Sequence, residues 1–490
     1  MKVIFVEHPC PVLLLGDQPW SPVRTNTWPQ SQMALAASIS NKHDVEILDL
    51  RSLESPADWR RHVSLEYQPP IIYGQSTLTR HLIGDCKRIA DHPADVFVFT
   101  ANFTSEVNAV AEAIRTAKAS WPEALILVGG SDASPDERHD FYFRAGADYI
   151  GIGDGDGVLP EFLDAMQSGL RLTSRLIIGG TAKGFRQPFP NLKLVNTSWY
   201  TESGGGAIHP GIFSNGGFAA YTEISRGCSR ECAFCFARKT SLWSPGLDDV
   251  LRHLDHLIVG GARLIMFSDD NLLLARRPEE LVTIFRHLRE RRIAWEFPNG
   301  LEIGLLIDQL RGGFKEELFE TLFWNSEGPP FVGAHRLLVP FEDALLHRSS
   351  LTKLKGVQVR IGGLLRRLLD TGIPFLNLAI MIGDIQESRE HREQLEIQLE
   401  LMYNWMQRSK TRVNFSIFCT SPLPGTVLGR AAANSRTRLS HSIEEAPELW
   451  TVFTSVLNGD NFTAEQTTKY RRDLLQRFHM SQDEGKVSST

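Results

Sequence analysis

Cysteine is scarce in this chain, six in 490 residues. That is too few for a disulfide-built scaffold, which packs several bridges into a short secreted sequence. No stretch approaches the roughly 18 uninterrupted apolar residues that a membrane-spanning helix needs. Basic tracts are missing too, and 52 Lys and Arg against 58 Asp and Glu give a formal net charge of −6. The electrostatic footprint of a nucleic-acid binder is therefore absent. The first apolar run, Val3 to Val6, is broken by Glu7 and Pro9. It is too short for the core of a signal peptide and reads as a first β-strand. Together these features predict a cytoplasmic chain that engages neither membrane nor nucleic acid. The hydrophobic fraction of 42% and charged fraction of 22% are those of an ordinary globular enzyme. The length exceeds what one core supports and implies two large domains plus extras.

What cysteine there is clusters. Cys228, Cys232 and Cys235 share one loop with CxxxCxxC spacing, inside Ile224-Ser-Arg-Gly-Cys-Ser-Arg-Glu-Cys-Ala-Phe-Cys-Phe-Ala237. Three thiolates cannot ligate a four-iron cluster fully, so one iron keeps an open position for a substrate. A zinc site would want a fourth Cys or His close by, but the next histidine, His253, lies in a helix-like stretch. A disulfide fails on the odd count. The spacing, Phe234 and the Arg226-Gly227 lead-in resemble the radical S-adenosylmethionine (SAM) superfamily. That resemblance implies a 4Fe-4S cluster on Cys228, Cys232 and Cys235 as the catalytic centre. SAM would be chelated by the open iron and split to methionine and a 5′-deoxyadenosyl radical. An external electron donor of flavodoxin or ferredoxin type is implied with it.

Residues 1–180 alternate short apolar strands with helical stretches. Strands are expected at Lys2–Val6, Val45–Leu48, Val96–Phe99, Leu125–Val128 and Tyr149–Ile152, with helices near Gln32–Ser40 and Ser105–Ala119. The pattern predicts a doubly wound, mostly parallel sheet with ligands beyond the carboxyl ends of its strands. Three loops fall there: Thr100 to Ser105, Gly129-Gly130-Ser131, and Gly151-Ile-Gly-Asp-Gly-Asp-Gly157. They resemble the Rossmann-like cobalamin-binding domain that precedes many radical SAM barrels. By that resemblance Thr100, Asn102, Phe103, Thr104, Ser105, Gly129, Gly130, Ser131, Gly153, Asp154 and Gly155 would contact cobalamin. Enzymes that ligate cobalt through histidine carry Asp-x-His-x-x-Gly after the first strand, whereas here Glu7-His8-Pro9-Cys10-Pro11 stands there. The nearest match, Thr79 to Gly84, lacks the aspartate and reads as helix. No histidine ligand, neither His8 nor His81, is expected.

A Gly/Pro/Asn-rich linker (181–218) leads to a second alternating region, 219–430. Six strand-and-helix units there match the superfamily's partial (β/α)6 barrel. At its carboxyl-end face the resemblance assigns SAM contacts to Phe234, Ser268, Asp269, Asp270, Asn271, Glu302, Glu342 and Gly383. Asp343-Ala344 departs from the family's Glu-Ser-Gly segment, and Met381 to Glu387 lacks the proline of its Gly-x-Pro-x-Glu segment. Pro422 to Thr426 resembles the last-strand segment of cobalamin-dependent members. Phe323 to Gly333 reads as an insertion near the barrel mouth that shapes a substrate pocket or is a surface loop. Cys419 is placed at the end of the last strand, facing the chamber, while Cys10, Cys86 and Cys419 are dispensable for the cluster. Residues 431–490 read as a small helical region with Trp450 and Phe453 on one helix face, Phe478 in the core, and a disordered tail from Ser481.

The fold class is thus α/β: a Rossmann-like cobalamin domain, a partial radical SAM barrel and a helical C-terminal region. The implied activity is C-methylation of an unactivated carbon in a small-molecule or peptide biosynthetic intermediate by a monomeric enzyme. One alternative is a rearrangement, ring contraction or cyclisation with the same cofactors and no methyl transfer. Another is a non-enzymatic iron–sulfur and cobalamin sensor with a regulatory partner.

Overall fold

The computed structural model describes residues 1–478, apart from 24–26, 52–55, 65, 171, 180–188, 202–207, 210, 238–239, 308–314, 327, 343–360, 408 and 436. Part of the linker, Asp343-Ala344, the side chain of Glu342 and the tail from Ser481 therefore lie outside the described residues.

The first half opens with β1 (Lys2–Glu7), then β2 (Cys10–Leu15), β3 (Gln18–Pro19), α1 (Gln30–Ile39), β4 (Asp44–Asp49), β5 (Gln68–Tyr73) and β6 (Ser76–Ile83). It continues with β7 (Val96–Thr100), α2 (Val107–Ser120), β8 (Leu125–Gly129), α3 (Asp136–Ala145), β9 (Tyr149–Ile152), α4 (Leu159–Gln167) and β10 (Leu176–Ile178). Six of these strands pair in the order β10-β9-β8-β7-β1-β4, every pairing parallel. Val3 to Val6 and Val96 to Thr100 are buried throughout. Helices on both faces explain why these strands read as unbroken apolar runs. The order reverses between β1 and β7, and ligands of such sheets settle at that switch point.

A second, antiparallel sheet departs from expectation. The Thr79 to Gly84 stretch, read as helix, belongs largely to β6, in a four-stranded antiparallel sheet ordered β3-β2-β6-β5. Burial along β6 alternates with period two at Leu78, Arg80 and Leu82. The charge on Arg80 hid that alternation in the sequence.

The second half runs β11 (Phe218–Thr222), α5 (Leu247–Val259), β12 (Ala262–Phe267), α6 (Leu272–Ala275), α7 (Pro278–Glu290), β13 (Ala294–Phe297), α8 (Glu316–Phe323) and β14 (Gly333–Glu342). It ends with α9 (Ile361–Asp370), β15 (Phe375–Ile382), α10 (Arg389–Met406), β16 (Arg412–Cys419), α11 (Val427–Ala433) and α12 (Ala464–Arg477). The six strands β11 to β16 pair in chain order, all parallel. Pro278 opens α7 with Glu279 and Glu280 in its first turn, and His287 and Arg289 close it. That is the charge order a helix dipole favours. On β16 burial alternates strictly: Val413, Phe415, Ile417 and Cys419 are buried, while Asn414, Ser416 and Phe418 are half-buried on the other face.

Three placements correct the sequence reading. The Trp324–Val332 segment precedes β14 and so lies at the amino ends of the strands, not at the mouth. Asn325 Nδ2 donates there to the Thr371 carbonyl, just before β15. The C-terminal region is only partly helical: Trp450 follows a short 3-10 turn (Pro447–Leu449), and Phe453 lies in a turn. Phe478 is buried against Phe415, as expected. Trp450 packs with Leu449, Ala446 and Val456 onto Leu13, Ile71 and Leu78 of the antiparallel sheet. No described helix is long and apolar enough to cross a membrane.

Candidate active site between two carboxyl-end faces

The cysteine loop leaves the carboxyl end of β11 and is held there by carboxylates from the next strand. Asp269, just past β12, accepts from the Ile224 N–H (3.1 Å) and the Ser225 hydroxyl. Burial pushes its carboxyl up to about 7, with the Ser225 hydrogen bond opposing. Its Oδ2 is buried without a partner. Asp270 Oδ2 accepts from Gly227 N–H at 2.9 Å. Gly227 has φ +88°, and a Cβ there would meet the Ser241 carbonyl oxygen at 2.0 Å, so only glycine fits this turn. The loop folds back on itself. Arg226 and Trp243 exchange both backbone hydrogen bonds (2.8 and 3.0 Å), Cys228 N–H donates to Thr240 Oγ1 (2.8 Å), and Cys235 N–H donates to the Cys232 carbonyl (3.2 Å).

Two polar residues reach the cysteines from neighbouring strand ends. Asn271 Nδ2 lies 3.7 Å from Cys228 Sγ and donates to Glu302 Oε2 at 2.8 Å. Glu302, after β13, is buried and also pairs with Arg230 of the cysteine loop. Phe234 is half-buried in the same loop. Ser268 instead bridges away, its Oγ donating to Gln30 Oε1 at 2.7 Å. Gly383, at the end of β15, has φ +82° and faces the C-terminal helix: a Cβ would meet Thr467 Cγ2 at 2.7 Å. Glu342 ends β14.

The first sheet presents its own carboxyl end. Thr100 Oγ1 is buried there without a partner, and Phe103 is 58% exposed. Asn102 Nδ2 donates to Ser31 Oγ at 3.3 Å, while Ser105 and Ser131 are half-buried. Thr104 is committed elsewhere, donating to buried Asp132, which also receives Arg138 and Tyr142. Gly130 (φ +110°) allows close approach to the Ala101 carbonyl. Gly129 and Gly151 face each other on β8 and β9; Gly153 and Gly155 pack on Gly179 and Leu35. Asp154 and Asp156 point at Arg226 of the cysteine loop. His8 engages both ring nitrogens, with the Pro9 carbonyl (2.9 Å) and Glu106 (3.3 Å). His81 does the same with the Ser64 carbonyl and Thr79.

These two faces look at each other. Ser268 bonds Gln30 at the start of α1, Gly425 N–H donates to Glu137 Oε1 at the start of α3 (2.9 Å), and Arg226 grips Asp156 after β9. Leu428 N–H donates to the Ala233 carbonyl, closing the segment after β16 onto the cysteine loop. Cys419 is fully buried, its N–H on the Val452 carbonyl, and burial pushes its thiol up to about 12. It is sealed under the C-terminal segment, not turned to the chamber. None of the six cysteines is in a disulfide.

The donor set suits an iron–sulfur cluster. Three thiols share one strand-end loop, and the Asn271 amide is aimed at one sulfur. Among the described residues no three His, Cys, Asp or Glu side chains converge as a single metal ion requires. At the first sheet, the orphaned Thr100 hydroxyl and the exposed Phe103 beside the switch point suit an organic cofactor. Sequence reasoning did not single out Arg230 and named Arg226 and Asp156 only within longer runs; a charge beside a motif gave no sign of its partner seventy or more residues away.

No protein-family model matches the chain. It is 27% identical over 236 residues to an uncharacterized methyltransferase of Synechocystis sp., covering 44% of this chain and 38% of that protein. It is 31% identical over 112 residues to the ribosomal protein uS12 methylthiotransferase RimO of Syntrophus aciditrophicus, covering 20% and 25%. The chain thus spans well under half the length of these curated relatives. Streptococcus suis SuiB bound to S-adenosylmethionine is similar at 13% identity, covering 53% of this chain and 65% of that one, with a TM-score of 0.25. That score is too low to carry a statement about fold.

Proposed function

We propose that this chain is a radical SAM enzyme that transfers a methyl group to an unactivated carbon of a small-molecule or peptide intermediate, with cobalamin as second cofactor. The observation that carries the reading is the CxxxCxxC loop at the carboxyl end of the first strand of a six-stranded parallel sheet, opposite the switch point of a second such sheet. Cys228, Cys232 and Cys235 would hold the cluster, Asn271 and the Asp269-Asp270 pair would line the SAM side, and Thr100, Asn102, Phe103 and Ser131 would line the cobalamin side. When bound, these groups would supply hydrogen-atom abstraction and a transferable methyl. The chain's own residues orient and enclose. Asp269 and Asp270 fix the loop backbone, Arg230 and Glu302 brace its middle, and the segment after β16 closes over it to exclude water. The matches to a methyltransferase and a methylthiotransferase favour one-carbon transfer over rearrangement. An external flavodoxin- or ferredoxin-type protein would deliver the electron.

The test is anaerobic reconstitution followed by incubation with methyl-labelled SAM and a reductant. 5′-Deoxyadenosine is expected from the wild type and none from Cys228→Ala, Cys232→Ala or Cys235→Ala, which also lose the iron–sulfur charge-transfer absorbance near roughly 400 nm. Label in the product supports methylation; deoxyadenosine without label transfer supports the rearrangement. A full cluster in any of the three variants sinks the assignment.

A further inference from the structure

Arg226 stands two residues before Cys228, and both terminal nitrogens of its guanidinium reach across to the other half of the molecule. Nη1 and Nη2 fork onto Oδ1 and Oδ2 of Asp156 at 2.9 and 2.8 Å. Nε donates to Glu223 Oε1 at 2.5 Å, and Asp154 Oδ2 lies 3.7 Å away. Asp156 is 4% exposed, and the Trp243 ring lies beneath the guanidinium at 5.7 Å. A two-pronged, water-excluded pair of this kind fixes orientation as well as distance, and a lysine cannot reproduce it. The backbone of Arg226 meanwhile pairs with Trp243 and closes the cysteine loop. One residue therefore anchors both the loop's closure and its seat on the first half.

We propose that Arg226 is a positioning residue that clamps the cysteine loop to the glycine–acid loop after β9, so that the two cofactor faces share one mechanical anchor. Asp154, Gly155 and Asp156 belong to the run expected to cradle a cofactor tail, and both Asp156 oxygens are taken by the clamp. Whatever seats itself on that run shifts the cysteine loop, and the cysteine loop shifts its affinity by the same factor. This coupling rests on the proposed function; the clamp itself does not.

Hydrogen exchange on the full chain, purified without cofactors, separates the two. Asp156→Asn and Arg226→Lys should raise amide exchange in residues 226–243 at least tenfold, with α5 and β12 unchanged, and Asp156→Glu should restore most of the protection. After reconstitution, the reduced-cluster paramagnetic resonance spectrum should change in Asp156→Asn and revert in Asp156→Glu. Loop exchange at the wild-type rate in Asp156→Asn, or a uniform rise across the whole chain, would each overturn the clamp, and an unchanged spectrum would overturn its reach to the cluster. Titration with hydroxocobalamin is the separate arm. No binding to the wild type counts against the cobalamin reading, while the exchange result still decides the clamp.

Discussion

Asp269 shows how a strand-end residue can hold structure at the place where the sequence pointed to a cofactor. Its place after β12 marked it as a cofactor contact, yet Oδ1 is spent on Ile224 and Ser225 and Oδ2 is buried without a partner. Its carboxyl rises from 3.8 to about 7 because burial penalises the charge. The native state therefore binds the extra proton between those values, and the stability of the apo protein should fall as pH rises from about 4 to about 7. Asp269→Asn should flatten that limb in thermal melts, and an unchanged pH profile would count against the buried carboxyl. His8 has the same sign of pH dependence from the opposite cause, a charge that is favoured rather than penalised. Burial opposes its charge, but the Glu106 hydrogen bond and charge, with Glu7, hold it up to about 9 against an ordinary 6.5. Its contribution is complete below pH 6.5 and lost as pH rises through 9. His8→Gln should remove stability at pH 6 and little at pH 10.

At the scale of elements, β7, β8, β9 and most strands of the second sheet were legible because both faces, or every second residue, are apolar. β6 was not, because Arg80 occupies a core position. The partner that makes this tolerable is remote. Glu448 Oε2 lies 3.3 Å from Arg80 Nε, and its Oε1 accepts from Tyr67 (2.6 Å) and Asn108 (2.8 Å). Both charges are buried, and local sequence patterns cannot report a bond across 368 positions. The stretch around Trp450 was misread for a related reason: its order comes from packing on the antiparallel sheet, not from helical periodicity. Removing one partner strands a buried charge, which costs about 3–5 kcal/mol. Glu448→Ala should lower the denaturation midpoint accordingly, while a double variant with Arg80→Leu should recover part of the loss. A Glu448→Ala protein as stable as the wild type would show that the pair is solvated in solution.

The whole molecule is built as two parallel sheets joined through aromatic packing as well as through charge. Trp28, between β3 and α1, lies 6% exposed with its ring stacked on Phe218 of β11 (5.2 Å) and edge-on to Tyr200 (5.4 Å). Tyr200 in turn donates to Asp49 Oδ2 at the end of β4 (3.0 Å), and its carbonyl receives Ala219 N–H as β11 begins. One apolar cluster consequently runs from Val3 and Phe5 through Trp28 into Phe218 and the core of the second sheet. A shared core makes unfolding cooperative across the junction, whereas domains tied only by surface contacts melt separately. On the proposed function, that rigidity would keep the two facing strand ends in fixed relation. Trp28→Ala removes the central ring and leaves a cavity, at a cost of about 3–5 kcal/mol for a large aromatic. The loss falls on the junction, so the expected calorimetric trace changes from one transition to two, the halves melting apart while each keeps its own sheet. Tyr200→Phe, which keeps the ring and removes only the hydroxyl bonded to Asp49, should lower the midpoint slightly and leave a single transition. If Trp28→Ala melts in one step near the wild-type midpoint, the junction is not where the two halves are coupled.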